Sequence, residues 1–150
     1  MEDLYNLFLQ SNSKYFIYFS SIKAVSDKSD VLITEETIPN PKTDYGISKL
    51  LAEQYILSKE IPEGKRVYIL RPCMIHGPGN KGNLNLLYSF ISKGIPYPFG
   101  KYENKRSFVS VENLCFIINE LISTSIGLGY SDSDAKVDEG NDYETYDLNF

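Results

Sequence analysis

Only two cysteines occur in the 150 residues, Cys73 and Cys115. They are far apart and lack C-x-x-C or Cys/His spacing, which indicates neither a disulfide framework nor a zinc site. They read as small core residues of a protein kept in a reducing cytoplasm. Long apolar runs are missing too. None approaches the roughly 20 residues that span a bilayer, and Met1 is followed by Glu2 and Asp3 rather than by a basic leader. The sequence therefore carries no visible membrane or export address, and no membrane partner is expected. Basic excess is also lacking. The net charge is -5, and from Ser131 onward seven acidic residues face Lys136 alone, leaving 13 acidic and 14 basic residues in the body. A near-neutral body without clustered Lys/Arg cannot displace counterions as general nucleic-acid binding requires. The acidic stretch reads as a solvated loop.

What is present suits one folded unit. With 42% hydrophobic and 23% charged residues, a chain of this length buries roughly 70% of its unfolded surface. Leu4, Leu7 and Phe8 fall at helical spacing, and "KYFIYFSS" follows as a short apolar and aromatic run of the kind buried on both faces of a parallel sheet. After a polar loop, "NPKTD" signals a helix start at which Thr43 or Asp44 can cap, and "YGISKLLAEQYILSKE" continues as helix to about Lys59. Gly64 turns the chain into a second buried strand, "RVYILRP". A further helix places Leu84, Leu87, Tyr88 and Ile91 on one face, with Gly94 as its stop. "RSFVS" is strand-like, Ser110 can cap "VENLCFIINELIS", and "ETYDLNF" alternates as a last strand. This alternation predicts an α/β fold with parallel strands flanked by helices. Residues 1–123 form its main body, 124–143 the acidic loop and 144–150 the final strand.

Two stretches invite a chemical reading. "GPGNKG", Gly77 to Gly82, spells G-x-G-x-x-G between a strand and a helix. A dinucleotide fingerprint turns straight off its strand, however, whereas "RPCMIH" intervenes here and Pro78 lacks an amide such a loop would offer. The segment reads as a substrate-side loop. In "YGISK", Tyr45 and Lys49 are four apart and share one helix face. A free phenol is a poor base at neutral pH, but an ammonium beside a phenol favours the phenolate. Such a pair can exchange a proton with a substrate hydroxyl, Lys49 holding the charge and a ligand ribose. The same spacing also suits a Tyr and a Lys on an ordinary amphipathic surface. Ser20 and Ser21 end the first strand, at the carboxyl end where open parallel sheets bind ligands, although serines also commonly begin loops.

The order of these parts is more specific than any one of them: strand-Ser-Ser, "NPKTDYGISK", strand-"LRPCMIHGPGNKGN", then "NKRSFVSVENL". Over about residues 4 to 122 it resembles the extended short-chain dehydrogenases/reductases, the NAD-dependent nucleotide-sugar epimerases and dehydratases. The resemblance implies a partial Rossmann-like sheet and a catalytic triad of Ser21, Tyr45 and Lys49, with Ser20 as the alternative serine. It implies NAD as cofactor, held by Tyr45, Lys49, Pro72 and Ile75, and a nucleotide-sugar substrate held by Ser21, His76, Asn83 and Arg106. His76 stands where the family usually has tyrosine, and Met74 where many members carry asparagine. Arg106 corresponds to the arginine that pairs with the nucleotide diphosphate, which a guanidinium can grip bidentately. Read from its residues alone, Arg106 equally suits a solvated strand start, and His76 a hydrogen-bonded loop position.

The family's own G-x-x-G-x-x-G lies on an earlier strand, and no second such motif occurs in these 150 residues. Against the family pattern the chain begins at the helix before the serine strand, so the expectation is a partial chain in which half the sheet is missing. The resemblance further implies a homodimer through a helix pair bearing Leu4, Leu7 and Phe8 on one helix and Leu50, Leu51 and Tyr55 on the other, positions that core packing would equally explain. Two functions follow: the catalytic and substrate-side portion of an epimerase or dehydratase, or a non-catalytic module retaining nucleotide-sugar contact or a dimer surface.

Overall fold

A computed structural model describes residues 1–27, 33–34, 37–78, 83–94, 107–125 and 143–148. Helix α1 (Glu2–Gln10) leads into strand β1 (Tyr15–Phe19), a 3₁₀ turn (Ile22–Ala24), helix α2 (Asp44–Leu57) and strand β2 (Arg66–Pro72). A short strand β3 (Met74–His76) precedes helix α3 (Asn83–Ser92), strand β4 (Phe108–Ser110), helix α4 (Val111–Ser125) and strand β5 (Tyr143–Leu148). The strands form two parallel sheets, β1-β2-β5 and β3-β4. This is the α/β arrangement with flanking helices that the alternation implied.

Strand β2 is central because Val67, Tyr68, Ile69 and Leu70 are all buried, the signature of a strand covered on both faces. On one side Val67 and Ile69 pack with Tyr5 and Phe8 of α1 and Ile56 of α2. On the other, Leu70 packs with Leu114 of α4, against which Ile17, Ile117, Ile118 and Leu121 also lie. Local signals set the boundaries. Thr43 caps α2 by accepting the Gly46 N–H, and the Ser110 hydroxyl accepts the Asn113 N–H in the first turn of α4. Gly64 and Gly94 adopt φ of +79° and +67°, conformations that favour glycine, just before β2 and just after α3. The Lys65 ammonium donates to the Phe8, Ser11 and Ser13 carbonyls and so fixes the C-terminal end of α1.

Several expectations change. The inward face of α1 is Tyr5 and Phe8, whereas Leu4 and Leu7 are exposed. Aromatic packing of Tyr5 against Phe8, Phe16 and Tyr55 decides that rotation. Leu51 of α2 and Tyr88 and Ile91 of α3 are likewise exposed. Cys115 is exposed and Cys73 partly so, which corrects their reading as core residues; no disulfide links them. His76 lies in β3 rather than in a loop. The reading of 124–143 as an acidic loop falls almost wholly outside the described residues. Among the described residues, no helix is long and apolar enough to cross a membrane, and no group of His, Cys, Asp and Glu could hold a metal.

Candidate active site

The site is built where β1 ends and α2 begins. Parallel pairing sets Phe19 opposite Leu70, and the Ser20 N–H continues the ladder to the Leu70 carbonyl at 2.8 Å. Ser21 then turns the chain as N-cap of the 3₁₀ turn, its Oγ accepting the Lys23 N–H at 3.3 Å. The backbone of that turn lies against α2. A Cβ added to Gly46 would run into the Lys23 carbonyl and stand 2.8 Å from Pro41 Cβ, so glycine is what lets the serine loop approach the helix carrying Tyr45. Gly46→Ala should therefore cost about 1–3 kcal/mol, as overpacking does, despite alanine's higher helix propensity. Urea denaturation measures this, and a variant stabilised by that propensity would mean the close approach is absent.

Lys49 is held firmly. Its Nζ donates to the Phe19 carbonyl at 2.8 Å and stands 5.1 Å from the centre of the Tyr18 ring and 5.8 Å from that of Tyr45. The Tyr45 side chain is about half exposed, so its phenol is open to a ligand. Tyr18, which the motif did not single out, is the second phenol beside the ammonium. Burial above all, with the Glu53 carboxylate and Tyr45 adding to it, pushes the Tyr18 phenol up from its ordinary value and keeps it neutral. Beneath Lys49, Glu53 is 1% exposed and accepts the Ser20 hydroxyl and a forked pair of bonds from Arg71. Neither Glu53 nor Arg71 belonged to the sequence motif; the signal available was a glutamate four residues past Lys49 on the same helix face.

The N-terminal end of α2 has its own anchor. Asp27 accepts the Lys42 N–H at 2.6 Å, the Thr43 N–H at 2.9 Å and the Thr43 hydroxyl. The Thr43 hydroxyl first, then the Lys42 amide, the Thr43 amide and the Lys23 charge, hold its carboxyl below the usual carboxylate range. A depressed folded value means that the anchor is complete above the unfolded value of 3.8 and is lost as pH falls through the lower folded value. The Lys42 and Thr43 amide shifts should thus titrate together below 3.8, and Asp27→Asn should abolish that titration. Shifts that stay flat there in the unaltered chain would dismiss the anchor.

Of the remaining positions, Pro72, Ile75, His76 and Asn83 lie between the end of β2 and the start of α3. Pro72 is buried at the end of β2, and β3 then pairs in parallel with β4, setting Ile75 opposite Val109 and His76 opposite Ser110. The His76 and Phe108 rings meet edge to face at 6.3 Å. β3 separates β2 from Gly77, so that glycine does not turn straight off the central strand. A Cβ there would stand 2.8 Å from Val111 Cγ2, which accounts for Gly77 against the start of α4. Asn83 is the first residue of α3. Arg106 and the rest of the "GPGNKG" segment, residues 79–82, lie outside the described residues. The structure thus brings the Lys49 ammonium to the Tyr45 ring and to the Phe19 carbonyl two residues before Ser21, and puts Ile75 and His76 on the strand that follows β2.

Residues 5–147 match the 3-beta hydroxysteroid dehydrogenase/isomerase family. The UDP-glucose 4-epimerase of Vibrio cholerae is 41% identical over 113 residues, covering 73% of this chain and 34% of that protein. In fold, 99% of the chain superposes on the UDP-N-acetylglucosamine 4-epimerase from Bacillus cereus with a TM-score of 0.72 at 20% identity, covering 48% of it. The Bordetella bronchiseptica enzyme WbmG, solved with NAD and UDP, gives 0.68 at 18% identity over 99% of this chain and 41% of its own. The chain spans about a third of the Vibrio relative's length and under half of these solved structures. Motif order, parallel sheet and family match agree, and the chain belongs to the 3-beta hydroxysteroid dehydrogenase/isomerase family, among the extended short-chain dehydrogenases/reductases.

Proposed function

We propose that this chain carries the acid/base portion of an NAD-dependent epimerase or dehydratase acting on a nucleotide-activated sugar. The observation that carries the reading is the placement of Lys49, bonded to the last carbonyl of β1 and 5.8 Å from the Tyr45 ring, at the strand end from which Ser21 follows. Tyr45 takes the proton of a sugar hydroxyl, Ser21 orients that hydroxyl, and the Lys49 charge stabilises negative charge developing on the phenol. The fit to a dinucleotide is a matter of donors. An ammonium has three N–H groups, and the bond to Phe19 uses one, leaving Lys49 the means to hold a ribose hydroxyl beside Tyr45. Pro72 and Ile75 would flank the cofactor's ring. When bound, NAD supplies the acceptor for the hydride leaving the sugar carbon. His76, Asn83 and Arg106 are assigned to the nucleotide sugar, the guanidinium taking the diphosphate. Exposed Leu4 and Leu7 on α1 and Leu51 on α2 support a homodimer through that helix pair.

A second reading is favoured by one feature of the sequence: no dinucleotide fingerprint occurs in these residues. In it the chain is a non-catalytic nucleotide-sugar or dimerisation module. A fluorescence titration with NADH, run beside Lys49→Met, separates the two. Saturable binding that weakens in the variant supports the cofactor site, with UDP-sugar turnover as the next assay. Absence of binding up to millimolar NADH leaves the non-catalytic reading.

A further inference from the structure

We propose that Glu53, acting through Ser20 and braced by Arg71, is a positioning residue for the Tyr45–Lys49 site. A buried ion pair is not needed for stability, since apolar residues of similar volume in such places are often as stabilising or more so. What this one supplies is geometry. Tyr45, Lys49 and Glu53 follow one another at four-residue spacing along a single stripe of α2. Successive turns of that stripe grip successive residues at the end of β1: Lys49 takes the Phe19 carbonyl at 2.8 Å, and Glu53 takes the Ser20 hydroxyl. Arg71 holds the carboxylate from β2 through Nε at 3.1 Å and 3.2 Å and through Nη2 at 2.7 Å. A planar guanidinium on a carboxylate fixes orientation as well as distance.

Ser20 is the joint. It is buried, its N–H is tied to the Leu70 carbonyl of β2, and its hydroxyl is tied to Glu53 of α2. The residue before it presents the carbonyl that holds Lys49, and the residue after it is Ser21. Fixing Ser20 therefore fixes both the ammonium and the serine on either side of it. Neither Glu53 nor Ser20 needs to touch substrate for this; each sets where the neighbouring groups stand. The inference rests on Lys49 as the cation of the proposed site.

The test reads Lys49 directly and uses no cofactor, so it stands apart from the NADH titration. In the chain labelled with 15N-lysine, an ammonium held by a carbonyl exchanges slowly enough to give a 1H–15N cross-peak. Lys49 and Lys65 are both so held, Lys65 by three carbonyls before the start of β1, at the opposite end of the strand from Ser20. Lys49→Arg and Lys65→Arg assign the two peaks. In Ser20→Ala the Lys49 peak should fall severalfold in intensity relative to Lys65 while the Lys65 peak persists. An unchanged Lys49 peak would overturn the proposal. So would equal loss of both peaks, which would make the network a general support of the fold, or absence of the Lys49 peak from the unaltered chain.

Discussion

Glu53→Leu is expected to destabilise the fold by about 3–5 kcal/mol, the usual cost of removing one partner from a buried ion pair. Glu53 is 1% exposed, and the change strips Arg71 of its carboxylate and Ser20 of its acceptor inside the packed layer between α2 and β2. Most of the loss comes from the guanidinium left behind rather than from the bond itself. The double variant Glu53→Leu/Arg71→Met should accordingly recover part of the stability, because the buried charge that lost its carboxylate is gone. Urea denaturation of the two single variants and the double gives the coupling as a cycle. A single-variant loss under about 1 kcal/mol, the range of exposed pairs, would contradict the buried placement of Glu53. Stability and positioning are separable here: the double variant regains part of the first, but Ser20 still lacks its acceptor.

The sequence was most informative where one local rule acted alone. The strand "RVYILRP" needed only its unbroken apolar run, and the helix of "YGISK" needed only Thr43 and a good helical sequence. Parallel pairing followed from strand and helix alternating. The inward face of α1 is not legible from leucines at helical spacing alone, because Tyr5 shares the helix and the larger rings of Tyr5 and Phe8 take the inside. β3 was not anticipated, since three residues after a proline carry no periodicity and pair only because β4 is brought alongside by the chain between. Tyr45 and Lys49 were visible as a spacing, and Ser21 as the residue after a strand. Glu53 and Arg71 were not, because a glutamate on a helix and an arginine in a strand look solvated until tertiary packing buries them together. A site's reactive groups can be recognised by type, whereas the groups that orient them depend on contacts 18 and 33 residues apart in sequence.

If the proposed function holds, Tyr45→Phe should lower turnover of a nucleotide-activated sugar by about a hundred- to ten-thousand-fold, the range attributed to a positioned acid or base. It should do so at nearly constant stability, within about 0.5 kcal/mol, because the ring stays and Tyr45 is half exposed at the start of α2. The cation over the aromatic face is retained as well, so Lys49 keeps its place on the Phe19 carbonyl. Loss in kcat with little change in KM is the pattern expected when only a transition-state proton transfer is removed. Stopped turnover assays with matched urea curves read both quantities. Undiminished turnover would move the proton to another group, and the other tyrosine ring near the Lys49 ammonium is Tyr18. That residue is a poor substitute on physical grounds. Burial first, then Glu53 and Tyr45, raise its value above that of a free phenol, which makes it slower to give up a proton near neutral pH. The two phenols near one ammonium are therefore not equivalent: the exposed one at Tyr45 is suited to exchange a proton with substrate, and the half-buried one at Tyr18 to hold the ammonium against its ring face.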